Sequence, residues 1–204
     1  MALERKIAKH LLDIEAVALR PNDYFTWTSG IKSPIYCDNR ITMSYPAIRR
    51  EIAAGMSEVI KAKFPEVEVV AGTATAGIPH AAWVSEVLDL PMIYVRDSAK
   101  KHGKTNQIEG RLLEGQKVVI IEDLISTGLS SLKVAKALEE AGAVVLGVVA
   151  IFSYELKKAQ DAFTADKVEY YTLTNYNYLI EEAVASDYIK QEDVEKLLEW
   201  RNNL

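Results

Sequence analysis

Residues 118–131 read Val-Val-Ile-Ile-Glu-Asp-Leu-Ile-Ser-Thr-Gly-Leu-Ser-Ser: an apolar run, two adjacent carboxylates, then a loop of small hydroxyl residues. Four consecutive β-branched residues suit a strand covered on both faces. The stretch that follows, Leu132 to Leu138, has the apolar spacing of a helix. Glu122 and Asp123 are thereby placed at the carboxyl edge of a parallel strand, the edge where open α/β sheets bind ligands. Main-chain N–H groups of a tight loop entering a helix, with the hydroxyls of Ser126, Thr127 and Ser130 beside them, can surround a phosphate, and the helix dipole adds favourable potential. Two carboxylates beside such a cradle repel a bare anion, so they make sense only if the ligand also presents hydroxyls. A ribose 5-phosphate presents both: the acids accept from its 2′ and 3′ hydroxyls while the loop holds its phosphoryl group. The competing account is a strand-end Glu-Asp pair facing water. Coupling to a buried strand on one side and a hydroxyl loop on the other favours the site.

Three further stretches carry chemistry. Residues 72–77 (Gly-Thr-Ala-Thr-Ala-Gly) have the glycine spacing of a nucleotide-binding P-loop, but Ile78-Pro79 stands where Lys and Ser/Thr would be needed, so an ATPase reading fails. Proline there is tolerated in the first turn of a helix. Residues 97–109 form the longest polar interruption and are expected to be a mobile loop. Over residues 96–104, Arg96, Lys100, Lys101 and Lys104 outnumber the single acid Asp97, a formal +3 inside a chain of net charge −5. Such a local reversal concentrates an anion. Residues 25–40 make an aromatic-rich turn able to wall a planar ligand.

The strand, acid pair and hydroxyl loop together resemble the phosphoribosyl pyrophosphate (PRPP) signature of type I phosphoribosyltransferases. Phe25-Thr-Trp-Thr-Ser-Gly-Ile-Lys-Ser-Pro-Ile-Tyr-Cys-Asp-Asn-Arg40, Gly72-Thr-Ala-Thr-Ala-Gly-Ile-Pro-His80, and Tyr94-Val-Arg-Asp-Ser-Ala-Lys-Lys-His-Gly103 with Asn106-Gln-Ile-Glu-Gly110 are similar to the orotate phosphoribosyltransferase family. The resemblance spans most of the chain. It implies transfer of ribose 5-phosphate from PRPP to orotate in pyrimidine nucleotide synthesis, with Mg²⁺ carried by the pyrophosphate and no protein metal ligand. It also implies that Arg96, Lys100, His102, Glu122, Asp123, Leu124, Ile125, Ser126, Thr127, Gly128, Leu129 and Ser130 bind PRPP. Asp123, Lys100 and His102 would serve the chemical step. Ser126 matches a position that contacts orotate, and Arg40 is a candidate for the orotate carboxylate. In the family the basic loop often reaches into the neighbouring subunit's site, so a homodimer sharing that loop is implied.

The chain departs from relatives at three places. Leu129 stands where many have a second small residue, and it must then sit in an ordinary backbone region. Ala76 and Thr28 stand where some have lysine.

Positioning these residues requires alternating strands and helices. Apolar spacing predicts helices at 2–19, 45–62, 78–88, 130–141 and 187–204, and strands at 35–37, 67–71, 92–95, 117–122, 144–151 and 168–173. The alternation implies a parallel, right-handed α/β sheet flanked by helices. At 204 residues the chain suits one domain, residues 1–204, with residues 1–40 contributing a hood over the acceptor base. The single cysteine, Cys37, excludes an intrachain disulfide framework. No segment approaches a membrane span, and the amphipathic N-terminus lacks a signal peptide's apolar core, so a cytoplasmic protein is expected. Acidic net charge argues against nucleic-acid or membrane-surface binding. Two rivals share the donor site: a phosphoribosyltransferase acting on another base, and a regulator that senses PRPP without chemistry. The regulator would need a basic DNA-reading module, which does not appear.

Overall fold

The computed structural model describes residues 2–26, 30–97 and 107–204. The chain opens with Leu3–Asp13 (α1), whose Ile7, Ala8, Leu11 and Leu12 are buried in the main core. The helix is shorter than the apolar spacing predicts. Glu15 takes a left-handed φ of 57°, and Val17–Leu19 becomes a strand (β1). Residues 16–19 are apolar enough for either period, and a strand partner decides the outcome: β1 pairs antiparallel with Ile35–Cys37. Between them Phe25–Thr26 (β2) and Lys32–Ser33 (β3) pair with each other, and Ile35–Cys37 is β4. A 3₁₀ turn, Asn39–Ser44, follows, and Pro46–Lys63 (α2) starts with proline, which suits a first helical turn.

The remaining elements alternate as expected, with additions. They are Val69–Thr73 (β5), Gly77–Leu88 (α3), Met92–Val95 (β6), Ile108–Glu109 (β7), Lys117–Ile125 (β8), Leu129–Glu140 (α4), Val144–Ser153 (β9), Lys157–Asp166 (α5), Tyr170–Asn175 (β10), Tyr176–Ala185 (α6) and Val194–Asn202 (α7). Helices α5 and α6 were not expected. α5 buries only Ala159 and Phe163, too sparse a stripe to reveal a period, and α6 begins inside a tyrosine-rich tract with the look of a strand. The closing helix is shorter than 187–204 because a 3₁₀ turn, Gln191–Asp193, precedes it. Part of the expected 97–109 loop is strand: β7 pairs antiparallel with β6. No helix among the described residues is long and apolar enough to cross a membrane.

Six strands form the central sheet in the order β10-β9-β8-β5-β6-β7. All neighbours are parallel except β6 and β7. After β5 the chain moves outward to β6, then returns across β5 to lay down β8. The loops leaving β5 and β8 therefore diverge, and the crevice between them is the topological switch point of the sheet. Val118, Val119, Ile120 and Ile121 are fully buried, which accounts for their unbroken apolar run. The β5 ladder ends at Gly72 and Ile121, but β8 continues to Ile125 along β9 alone. β8 is thus longer than the expected 117–122, and both acids lie within it rather than at its end.

Two glycines let α3 close onto this region. A Cβ on Gly72 would lie 2.9 Å from the Ile78 Cα, and one on Gly77 would overlap the Ile121 carbonyl oxygen. Gly77→Ala is therefore expected to destabilise the protein by about 1–3 kcal/mol, the usual cost of overpacking, because the obstacle is backbone. Urea unfolding checks this; a midpoint equal to the parent's would show that α3 is not packed so closely on β8.

Candidate active site

A cavity of about 270 Å³ opens at the switch point, lined by Thr73, Ala74, Thr75 and Ala76 on the β5 side and by Glu122, Asp123, Leu124, Ser126, Thr127, Gly128 and Ser130 on the β8 side. The polar side chains on both walls are all oxygen donors or acceptors. Gly128 turns the chain into α4 with a φ of 78°, and a Cβ there would strike the Phe163 ring, so glycine is needed both for conformation and for space. Leu129 consequently escapes the strained position: it is the first residue of α4 and 61% exposed. Ile125 is 1% exposed and packs in the core below the cavity, so its side chain is turned away from any ligand.

The two acids are not equivalent. Glu122 is 4% exposed and is held on three sides. Its Oε1 accepts the Asp123 N–H at 3.0 Å, and its Oε2 accepts from the hydroxyls of Ser130 at 3.3 Å and Ser131 at 3.1 Å. The bonds tie the strand to the first turn of α4. Ser131, absent from the sequence-based candidates, has a fully buried side chain whose only sequence signal is the doubling of serine at 130–131. Burial pushes the Glu122 carboxyl up to about 8, and the adjacent charge of Asp123 adds to this. Asp123 is also raised by burial, against the opposing pull of hydrogen bonds from Glu122 and main-chain N–H groups. Asp123 is the more accessible of the pair.

Asn39, within the Phe25–Arg40 stretch, has no sequence signal of a role. Its carboxamide lies 2.7 Å from the Asp123 main-chain oxygen, across a separation of 84 residues. Nearby, Arg40 grips Asp38 through two bonds, Nε to Oδ1 at 2.6 Å and Nη2 to Oδ2 at 2.8 Å, and so stands outside the cavity lining with its fork engaged. Arg96 lies past β6, its N–H donating to the Gln107 carbonyl and its guanidinium 3.5 Å from Glu109; it too does not line the cavity. Lys133 on α4 donates to the Asp97 carbonyl at 2.6 Å, tying the root of the basic segment to the helix of the cradle. Lys100 and His102 lie outside the described residues, as does Thr28. His80 is 1% exposed, stacks edge-on against Trp83, and is held neutral by burial, which lowers it to about 4.

Because native Glu122 keeps its proton up to about 8 while an unfolded carboxyl releases it near 4.5, the native state binds more protons across that window. Stability should therefore fall as pH rises through it, Asp123 adding the same sign. Glu122→Gln removes the titration and should flatten the pH profile of the urea midpoint between about pH 5 and 8; a profile parallel to the parent's would contradict this.

The phosphoribosyl transferase domain family matches residues 43–188. A protein of Enterococcus faecalis (strain ATCC 700802 / V583) named orotate phosphoribosyltransferase is 64% identical over 199 residues, covering 98% of this chain and 95% of its own. One of Staphylococcus aureus (strain N315) with the same name is 61% identical over 202 residues, covering 99% and 100%. Among solved structures, the orotate phosphoribosyltransferase of Aeropyrum pernix superposes with a TM-score of 0.77 at 27% identity over 90% of this chain and 99% of that one. The Leishmania donovani UMP synthase superposes with a TM-score of 0.83 at 27% identity over 98% of this chain, which spans 42% of that longer chain.

Proposed function

We infer the reaction from one premise, that the chain belongs to the orotate phosphoribosyltransferase family. It transfers the ribose 5-phosphate group of PRPP to orotate, giving orotidine 5′-monophosphate and pyrophosphate. The observation that carries this reading is the switch-point cavity, which brings Asp123 and the Ser126–Ser130 turn opposite the Thr73–Ala76 loop. A phosphorylated sugar carrying a leaving group needs just such a pair of walls.

In this reading, main-chain N–H groups and hydroxyls from Ser126 to Ser130 hold the 5-phosphate at the start of α4. Asp123 accepts from the ribose diol, with Glu122 behind it. Gly128 lets the turn close, and Leu124 and Ile125 contribute through the main chain. The Thr73–Ala76 loop faces the pyrophosphate, its amides and hydroxyls compensating for the absence of lysine at Ala76. The bond from the sugar's C1 to the pyrophosphate oxygen breaks as a ring nitrogen of orotate bonds to C1, the proton of that nitrogen leaving with the pyrophosphate, and positive charge grows on the sugar. A carboxylate beside the ring stabilises that charge most where water is excluded. Lys100 and His102 neutralise the departing pyrophosphate, with Arg96 adding positive charge from the root of the same segment. The hard oxygen donors lining the cavity suit Mg²⁺ arriving on the donor's phosphates, and such an ion supplies positive charge against the leaving group. Ser126, on the cavity wall, contacts orotate in this reading. Arg40 could take the orotate carboxylate by exchanging it for Asp38.

Asp123→Asn should lower kcat by at least ~100-fold, as loss of a transition-state contact does. The assay follows orotate loss by absorbance with PRPP and Mg²⁺, beside a panel of other bases. Near-parental turnover would remove Asp123 from the mechanism, and preference for another base would replace orotate. If the basic loop serves a neighbouring subunit, mixing inactive Lys100→Ala and Asp123→Asn proteins should restore part of the activity. No recovery after verified subunit exchange would place each loop in its own subunit's site.

A further inference from the structure

We infer that Asn39 is a positioning residue for the transfer step, replacing a missing strand neighbour so that the main chain of Asp123 is held at the sugar site. The inference rests on the reading that Asp123 meets the donor's ribose.

β8 loses its β5 partner after Ile121, and its register with β9 passes from Glu122 to Leu124 without pairing Asp123. The Asp123 peptide groups must therefore find partners elsewhere, since a buried main-chain group left unpaired is costly. Both are taken by side chains. The N–H donates to Glu122 Oε1, and the carbonyl accepts from Asn39. A carbonyl only accepts, so the Asn39 atom 2.7 Å from it is the amide nitrogen Nδ2. Asn39 itself is 0% exposed, and its Oδ1 has no hydrogen-bond partner among the described residues. A residue of this kind is poorly suited to general packing, because a buried amide with one half unsatisfied is a net liability. What it supplies is a donor to the acid-bearing strand past the point where the β5 ladder stops.

The turn carrying Asn39 is braced for the purpose. Thr42 donates to the Asn39 carbonyl at 2.6 Å, and the Asp38 side chain accepts the Arg40 N–H at 3.2 Å. The same turn leads back to β4 and the small N-terminal sheets. Asn39 thereby joins the segment expected over the acceptor base to the residue expected beneath the sugar, the two partners that must be aligned for a bond to form.

The test uses the full-length protein with Asn39→Ala and the near-isosteric Asn39→Asp. Asn39→Ala should fold, as judged by circular dichroism at the assay temperature. Its kcat should fall by roughly 10- to 100-fold, the scale of a sub-ångström to 1 Å misplacement of a reacting group, with a smaller change in KM for PRPP. In Asn39→Asp only the protonated carboxyl can donate to the carbonyl. The charged form would lie against the Asp123 carbonyl, whose N–H is bonded to Glu122, and beside Asp38, with Arg40 as the opposing cation; Cys37 and Tyr154, both raised by burial, adjoin it, and neutral His80 lies behind Thr42. The ratio of its kcat to the parent's should therefore rise as pH falls from about 8.5 to 6, whereas the ratio for Asn39→Ala stays flat. Turnover within twofold of the parent in both variants would overturn the inference. So would equal losses with flat ratios, or failure of both variants to fold, either of which assigns Asn39 to general structure. A parent protein with no turnover of PRPP and orotate would instead sink the reading of the site itself.

Discussion

The structure turns on a mismatch in strand length. β8 runs four residues beyond the last pair of its β5 ladder, from Glu122 to Ile125, with only β9 beside it. On the open side the sheet has no hydrogen-bonding neighbour, and the space left there is the cavity. The acids stand where a strand has just parted from its partner: buried enough to be desolvated, yet next to a concave wall. That combination raises both carboxyls, because burial disfavours the charged form.

The elements around the gap each compensate for the missing neighbour. Gly77 brings α3 against the Ile121 carbonyl, so the loop before it faces the acids. Ser130 and Ser131 donate to Glu122 and anchor the start of α4, which fixes the turn between strand and helix. Gly128 takes the positive φ of that turn, and this resolves the apparent oddity of Leu129: the bulky residue lies one position later, in ordinary helical backbone with its side chain outward.

The central motif was legible because its signals are local. A β-branched run, two acids and a hydroxyl loop occupy fourteen consecutive residues, 118–131, and each type has one strong structural preference. The alternation of elements from 45 to 151 was legible for the same reason. The first helix was read too long because Ala16 to Leu19 fit both periods, and only pairing with β4 chooses between them. α5 and α6 escaped because one has a thin apolar stripe and the other starts among tyrosines. The role of Asn39 could not be read at all, since it depends on a contact 84 residues away and on where the β5 ladder stops. Arg40 was singled out for its charge, but the sequence does not reveal that Asp38, two residues earlier, holds its fork.

In the proposed reaction the turn after β8 holds the sugar phosphate while the loop after β5 faces the leaving group. Amide-resolved NMR titration with the two halves of the donor tests it directly. Ribose 5-phosphate alone should shift and saturate the amides of residues 123–130 and leave 74–77 little changed, and pyrophosphate with Mg²⁺ should do the reverse. Shifts from ribose 5-phosphate that centre on the β5 loop, or that leave Ser126 to Ser130 unmoved at saturation, would contradict it.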